Sequence, residues 1–413
     1  MQIRFGTDVF SGQAGEYKGR RLGLVSNDAA TTASGKPSRQ ALLSAGYKLV
    51  RLFSPEHGLD RSGEDGQEMP SGKDALTRLP VVSLYGDKLA PAAEDLADLD
   101  MLLFDLPDIG CRFYTYLWTL SHVMEACHRH RKPLIVLDRP NPLSGNLALA
   151  EGPLLDVVHC ASFIGRWAIP LRYSCTFGEL ARYWQASRLP GLDLRVIGVE
   201  GWDRNSFHKD WGIPFVPTSP AMTTAEAAML YPGLGLLEAT NLSEGRGTNA
   251  SFCMAGAPWM DNIRVCKLFD EPGLPVVKAE PVDFVPESGK YAQESCRGVR
   301  FRLTDDSTSH APSSSELSAP ALSAFRPVRS AMLFIKLVKD LHAPQKGQHT
   351  DAFAWSPYPT HVNPSGASHL DLLLGLPDAE AFFEQPWDEF VRALPSLLSC
   401  GNWEETMRPW LLY

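Results

Sequence analysis

Residues 101–137 read MLLFDLPDIGCRFYTYLWTLSHVMEACHRHRKPLIVL, and the order of apolar and polar blocks in them decides the fold. Met101–Phe104 is a short apolar run without alternation, as expected of a strand buried on both faces of a parallel sheet. A polar cluster ends the run. A helical stretch follows from about Tyr114 to His130, with Leu117, Leu120, Met124 and Cys127 on one face. Leu134–Leu137 then repeats the first run. Strand, crossover helix and strand in that order form the unit of a doubly wound α/β sheet.

The same pattern extends outward. Leu22–Val25, Leu49–Phe53 and Val81–Tyr85 are further short apolar runs, and Lys36–Gly46 and Glu94–Asp98 between them read as helices. Downstream, Thr176-Phe-Gly-Glu179 is a capping box that opens the helix carrying Leu180, Tyr183 and Trp184, and Leu192–Val199 is another strand. These elements predict an α/β domain over residues 1–215, closed by Pro214, Pro217 and Pro220. Residues 216–413 are less regular and predict a smaller α+β domain, with helices at Val328–Leu341 and Ala379–Leu398. Residues 304–325, rich in Ser, Pro and Ala, predict a mobile surface loop.

A length of 413 residues makes two domains the natural expectation, and 44% apolar with 21% charged residues is a globular composition. The formal net charge of −9 argues against nucleic acid, whose phosphates need a basic face. An anionic ligand has to be held by a few local arginines against that overall field. No stretch approaches the roughly 18 apolar residues of a membrane span, and the first residues lack the apolar core and cleavage site of a signal peptide. The expectation is a soluble, cytoplasmic chain, or a periplasmic or secreted one if a leader has been removed. Eight scattered cysteines form no C-x-x-C and read as reduced, mostly buried small apolar residues.

Open parallel sheets bind ligands outside the carboxyl ends of their strands, so the residues after each run carry the chemistry. They are Ser26-Asn27-Asp28, Ser54-Pro-Glu56-His57-Gly58, the stretch from Asp105 to Tyr116 with Arg112 and Tyr114, and Asp138-Arg-Pro-Asn141. Carboxylates, a histidine, arginines and tyrosines thus converge on one rim. Glu56, beside apolar Phe53 and Leu59, is placed to have its pKa raised and to act as a general acid. The competing reading is a helix-capping Glu and a His that holds a loop. Asp138 and Asn141, next to prolines, equally suit turn-forming roles. Farther on, Asn241-Leu-Ser-Glu244-Gly-Arg246-Gly-Thr248 sets an arginine between glycines. Either the backbone approaches a ligand while Arg246 forks onto a carboxylate, or the segment is a tight turn. No P-loop, G-x-S-x-G elbow, H-E-x-x-H or dinucleotide fingerprint occurs.

Taken together, these strings resemble one family. The chain carries Leu52-Phe-Ser-Pro-Glu-His-Gly58, Asp108-Ile-Gly-x-Arg-Phe-Tyr-Thr-Tyr116, Val136-Leu-Asp-Arg-Pro-Asn-Pro142 and Glu151-Gly-Pro153. It continues with Tyr231-Pro-Gly233, Thr240-Asn241, Gly245-Arg-Gly-Thr248, Gly256-Ala-Pro-Trp259, Phe325-Arg-Pro-Val-Arg329 and Arg408-Pro-Trp-Leu-Leu-Tyr413. In this order they are similar to the exo-β-N-acetylmuramidases, glycoside hydrolase family 171, formerly a domain of unknown function. The resemblance runs from Gly6-Thr-Asp-Val9 to the last residue. Residues 304–325 stand out as an insertion and 345–371 as divergent.

The resemblance implies a Rossmann-like catalytic domain and a C-terminal auxiliary domain bordering the same cleft. It implies a substrate of N-acetylmuramic acid (MurNAc) β-1,4-linked to N-acetylglucosamine (GlcNAc), cut from the non-reducing end in cell-wall turnover or recycling. No metal or organic cofactor is implied. Glu56 and His57 match the catalytic pair, with Glu56 as the leading acid; the second group is Glu244, or next Asp105. Arg112 and Arg246 are the choices for the lactyl carboxylate. Asn27, Asp105, Tyr114, Tyr116, Asp138, Asn141, Asn241 and Thr248 are the further substrate-contact candidates. Retention, inversion and participation of the substrate acetamido group stay open. The rival reading is a non-catalytic muropeptide- or sugar-binding protein with the same cleft.

Overall fold

The apolar runs assemble into one seven-stranded sheet. In the computed structural model, which describes residues 2–13, 15–304, 317–344, 352–361 and 363–413, the strands are β1 (Arg21–Val25), β2 (Lys48–Ser54), β3 (Gly72–Lys73), β4 (Pro80–Ser83), β5 (Met101–Phe104), β6 (Leu134–Leu137) and β7 (Leu194–Ile197). Their order is β3-β4-β2-β1-β5-β6-β7, and every pair is parallel except β3 with β4. From β1 the chain builds outward to β4, then returns to place β5 on the other side of β1. The point where the winding reverses therefore lies between β1 and β5, where such sheets open a crevice.

Alternation along each strand divides the core into two layers. Leu22, Leu24, Leu103 and Ile135 pack on one face with Phe10 of α1 (Gly6–Gly12) and Leu42 of α2 (Ser38–Ser44). Leu102, Phe104, Leu134 and Val136 pack on the other, where α3 (Ala93–Leu96), α4 (Tyr116–Arg129) and α5 (Phe177–Arg188) supply Leu96, Leu117, Leu120, Leu180 and Trp184. The expected capping box is present. Thr176 Oγ1 accepts from the Glu179 N–H at 3.2 Å, and Glu179 Oε2 accepts from the Thr176 N–H at 3.1 Å.

The C-terminal half is α+β, as expected. A three-stranded antiparallel sheet, ordered β8-β10-β9, contains β8 (Met254–Ala257), β9 (Val277–Phe284) and β10 (Cys296–Leu303). Around it lie α6 (Ala225–Leu234), α7 (Asn262–Asp270), α8 (Ala319–Leu322), α9 (Pro327–Leu341), α10 (His369–Leu374), α11 (Ala379–Phe382), α12 (Trp387–Leu397) and α13 (Trp403–Met407). Gly233 lets α6 approach α9: a Cβ there would come within 2.1 Å of the Pro327 carbonyl oxygen. The Glu151 carboxylate closes the α9 N-terminus by accepting from the Val328 and Arg329 N–H groups at 3.1 and 2.8 Å, where helix amides lack partners. Both halves share one continuous apolar cluster.

Several sequence expectations need correction. Residues 305–316 of the expected Ser/Pro loop lie outside the described residues, but its last part is docked: Ser318 caps α8, and Leu317, Leu322 and Phe325 are buried. The single helix expected at 379–398 is two, because Pro386 sits at the start of α12. The last residues return to the first sheet, where the Tyr413 hydroxyl donates to Asp138 Oδ2 at 2.8 Å. All eight cysteines are free, seven of them buried. Among the described residues, no helix is long and apolar enough to cross a membrane.

Candidate active site

β2 delivers Glu56 and His57 to the carboxyl edge of the sheet. The chain turns sharply there, with His57 in the left-handed region at φ 67°, a conformation that costs energy for a residue with a Cβ. The His57 Nδ1–H donates to the Gly63 carbonyl at 2.9 Å, which folds residues 58–66 back over Glu56. Gly66, at φ 70°, then donates its N–H to Glu56 Oε1 at 3.0 Å. Thr115, just before α4, donates its hydroxyl to Glu56 Oε2 at 2.6 Å. Glu56 is only 5% exposed.

The same loop carries a second acid. The carboxyl groups of Glu56 and Asp65 and a ring nitrogen of His57 offer atoms within 4.8 Å of one another. Asp65 Oδ2 accepts from the Tyr358 hydroxyl at 2.7 Å and lies 3.6 Å from Arg246 Nη2. The two acids titrate in opposite directions. Burial raises the Glu56 pKa, and the Asp65 charge adds to that against the lowering effect of His57 and two hydrogen bonds. Desolvation alone would raise Asp65 too, but Arg246, His57, the Tyr358 hydroxyl and His369 hold it below its usual value. Tyr85 is buried against Glu56, and both effects push its hydroxyl up.

Glu56, His57, Asp65 and Arg246 line a small cleft with Tyr114, Ser219, Tyr231 and Phe252. A wider hollow of about 330 Å³ lies near the ends of β1, β5 and β6, lined by Ala29, Thr31, Asp108, Arg139 and Trp211. Its arginine is already committed, since Arg139 Nε and Nη2 bind Asp105 at 2.5 and 3.2 Å. The smaller cleft holds the pair of carboxyl groups with opposed pKa shifts, which is the arrangement that assigns an acid and a base. Two carboxylates and an imidazole are also donor types that suit a divalent cation, for which the Arg246 guanidinium would be a competitor at Asp65.

The family model described as exo-β-N-acetylmuramidase NamZ, N-terminal, matches residues 22–226, and its C-terminal counterpart matches 229–413. The chain belongs to the NamZ family. Peptidoglycan β-N-acetylmuramidase NamZ of Bacillus subtilis (strain 168) is 37% identical over 328 residues, which cover 79% of this chain and 75% of that protein. Two crystal structures of DUF1343 family proteins from Bacteroides fragilis NCTC 9343 match 100% of this chain and 99% of theirs. Their TM-scores are 0.82 and 0.72 at 26% and 23% identity. The two NamZ family models meet between residues 226 and 229, downstream of the 215 expected from the prolines.

Within this NamZ family member, the structure gathers only some of the residues singled out in the sequence. Glu56, His57, Tyr114 and Arg246 line the cleft. Asn27 and Tyr116 stand behind it: Asn27 Nδ2 donates to the Tyr116 hydroxyl at 2.8 Å, which donates to the Thr218 carbonyl at 2.7 Å. The Tyr114 hydroxyl donates to Thr218 Oγ1 at 2.6 Å.

The others are engaged elsewhere. Glu244 is buried between Arg246 Nε at 3.1 Å and Lys290 Nζ at 3.2 Å. Asp105 pairs with Arg139. Arg112 is fully buried and donates to the carbonyls of Pro153, Ile169 and Leu373 at 2.8–2.9 Å. Asp138 accepts from Thr176, the Gly178 N–H and Tyr413, which ties the chain end to α5. Asn141 holds its own turn through the Leu143 N–H and the Cys175 carbonyl. Asn241 clasps Ala352 and Ala354, and Thr248 bonds within the glycine turn. Arg246 itself meets three carboxylates, Glu238 at 2.7 Å besides Glu244 and Asp65.

Sequence reading missed Asp65 and Tyr358. Asp65 sits in a polar loop with no apolar periodicity, and only the neighbouring Gly63 and Gly66 hint at a tight path. Tyr358 falls in the stretch that looked divergent.

Proposed function

We propose that this protein is an exo-β-N-acetylmuramidase, releasing MurNAc from the non-reducing end of MurNAc-β-1,4-GlcNAc fragments in cell-wall turnover. One observation carries the reading: a buried Glu56 whose pKa is raised, in a cleft that also holds an ionised carboxylate. A carboxylic acid whose pKa is raised holds its proton to higher pH than an ordinary glutamate and can deliver it to a glycosidic oxygen as the bond to the anomeric carbon breaks. Membership of the NamZ family supplies the sugar.

Arg246 is the cleft-lining cation for the lactyl carboxylate, which has to compete there with Glu238, Glu244 and Asp65. Arg112 is too deeply committed to carbonyls for that task. The test is chromatographic detection of MurNAc released from the disaccharide, with Glu56→Gln as control. Release by wild type alone supports the reading. Tight binding of the disaccharide and of longer glycans with no release by either protein would replace it with a binding protein.

A further inference from the structure

We propose that Asp65 is the second carboxyl group of the reaction, the nucleophile that meets the anomeric carbon. The assignment rests on the glycosidase reading above and deepens it. Glu56 and Asp65 are the two acidic residues that line the cleft. The other acids considered are occupied: Glu244 in ion pairs with Arg246 and Lys290, Asp105 with Arg139. Their side chains are 3% and 0% exposed, whereas that of Asp65 is 29% exposed.

Asp65 is also held as a reacting group must be. Tyr358 and Arg246 both contact Oδ2, and among the described residues none bonds Oδ1. One oxygen is therefore anchored and the other is available. The separation selects a mechanism. Retaining glycosidases hold their carboxyl groups about 5–5.5 Å apart, and inverting ones roughly 6.5–9.5 Å to admit a water. Here one oxygen of Glu56 and one of Asp65 lie within 4.8 Å of each other, which is nearer the retaining spacing than the inverting one.

The reaction is then a double displacement. An Asp65 oxygen forms a bond to C1 of MurNAc while the bond from C1 to O4 of GlcNAc breaks, and the Glu56 proton moves to O4. A water then gives its proton to the Glu56 carboxylate and its oxygen to C1, and the Asp65–C1 bond breaks. Glu56 is restored as the acid and Asp65 as the carboxylate, and one water is consumed per bond cut.

The experiment uses aryl β-glycosides of MurNAc and of GlcNAc with the intact chain, following the first-formed anomer by proton NMR. Wild type should give the β-anomer first. Asp65→Asn and Asp65→Ala should lose roughly a thousandfold or more in kcat while still unfolding in a single cooperative transition. Azide added to Asp65→Ala should restore turnover and yield the α-glycosyl azide, since a small anion replaces the missing nucleophile from the same face. A merely structural role for Asp65 cannot produce that adduct.

First formation of the α-anomer would overturn the proposal, as would an Asp65→Ala enzyme within tenfold of wild type. So would a large loss without azide rescue, which would leave the acetamido group as the nucleophile. Should wild type cleave neither aryl sugar, the glycosidase reading falls and Asp65 falls with it.

Discussion

The Tyr358 hydroxyl donates a 2.7 Å hydrogen bond to Asp65 Oδ2, joining the C-terminal half to the loop that follows β2. The clamp is wider than one bond. The His361 N–H donates to the Gly66 carbonyl at 3.2 Å, and Thr360 packs where a Gly66 Cβ would stand. Gly66 is the residue whose N–H reaches Glu56. Docking of the C-terminal half thus sets both carboxyl groups at once.

Tyr358→Phe removes one of the bonds that keep Asp65 ionised. A hydrogen bond to a charged group contributes about 1.5–3 kcal/mol, and about 1.4 kcal/mol corresponds to one pKa unit. The acidic limb of kcat/KM should move up by roughly one unit, with a smaller change on the plateau. An unmoved limb would mean that Tyr358 does not tune Asp65.

The pH dependence follows from the two opposed shifts. Activity needs Asp65 ionised, so it is lost as pH falls through a pKa below the ordinary aspartate value. It needs Glu56 protonated, so it is lost as pH rises through a pKa above the ordinary glutamate value. The profile should be bell-shaped. In Asp65→Asn the Glu56 carboxyl should titrate lower, because the Asp65 charge is one of the causes that raise it; carbon-13 NMR of Glu56 would read this directly.

Glu244→Gln separates structure from chemistry. Breaking its ion pairs with Arg246 and Lys290 should destabilise the fold by roughly 3 kcal/mol while kcat of the folded protein stays within about tenfold. Urea unfolding and steady-state kinetics measure the two effects. A loss of kcat as deep as that of Glu56→Gln would return Glu244 to the reaction.

Arg112→Met should be a stability variant of a different kind. It leaves three buried carbonyls without their donor, two of them in the first half and that of Leu373 in α10. A cost of about 3 kcal/mol or more is expected, with KM for the MurNAc disaccharide unchanged in whatever fraction folds. A raised KM in a stable protein would show that Arg112 reads substrate.

How far the chain can be read without its structure differs by residue. The strands at Met101–Phe104 and Leu134–Leu137 were legible because both faces are buried, so burial is written as unbroken apolar runs. The capping box at Thr176 was legible because its two bonds span three residues. β3 was not, since two residues at an antiparallel edge carry no apolar run. Asp138 and Asn141 show the limit of a motif: the same strand-end polarity that marks a catalytic rim also serves to anchor α5 and close a turn.

The sequence by itself determined the doubly wound sheet, its rim and the delivery of Glu56 and His57 to that rim, because these depend on local periodicity and on where a strand stops. Only the tertiary structure decided which carboxylate joins Glu56. Asp65 is nine residues from Glu56, but its ionised state depends on Arg246 and Tyr358, far along the chain. A pKa is set by what surrounds a group in space, and no local pattern records that surrounding.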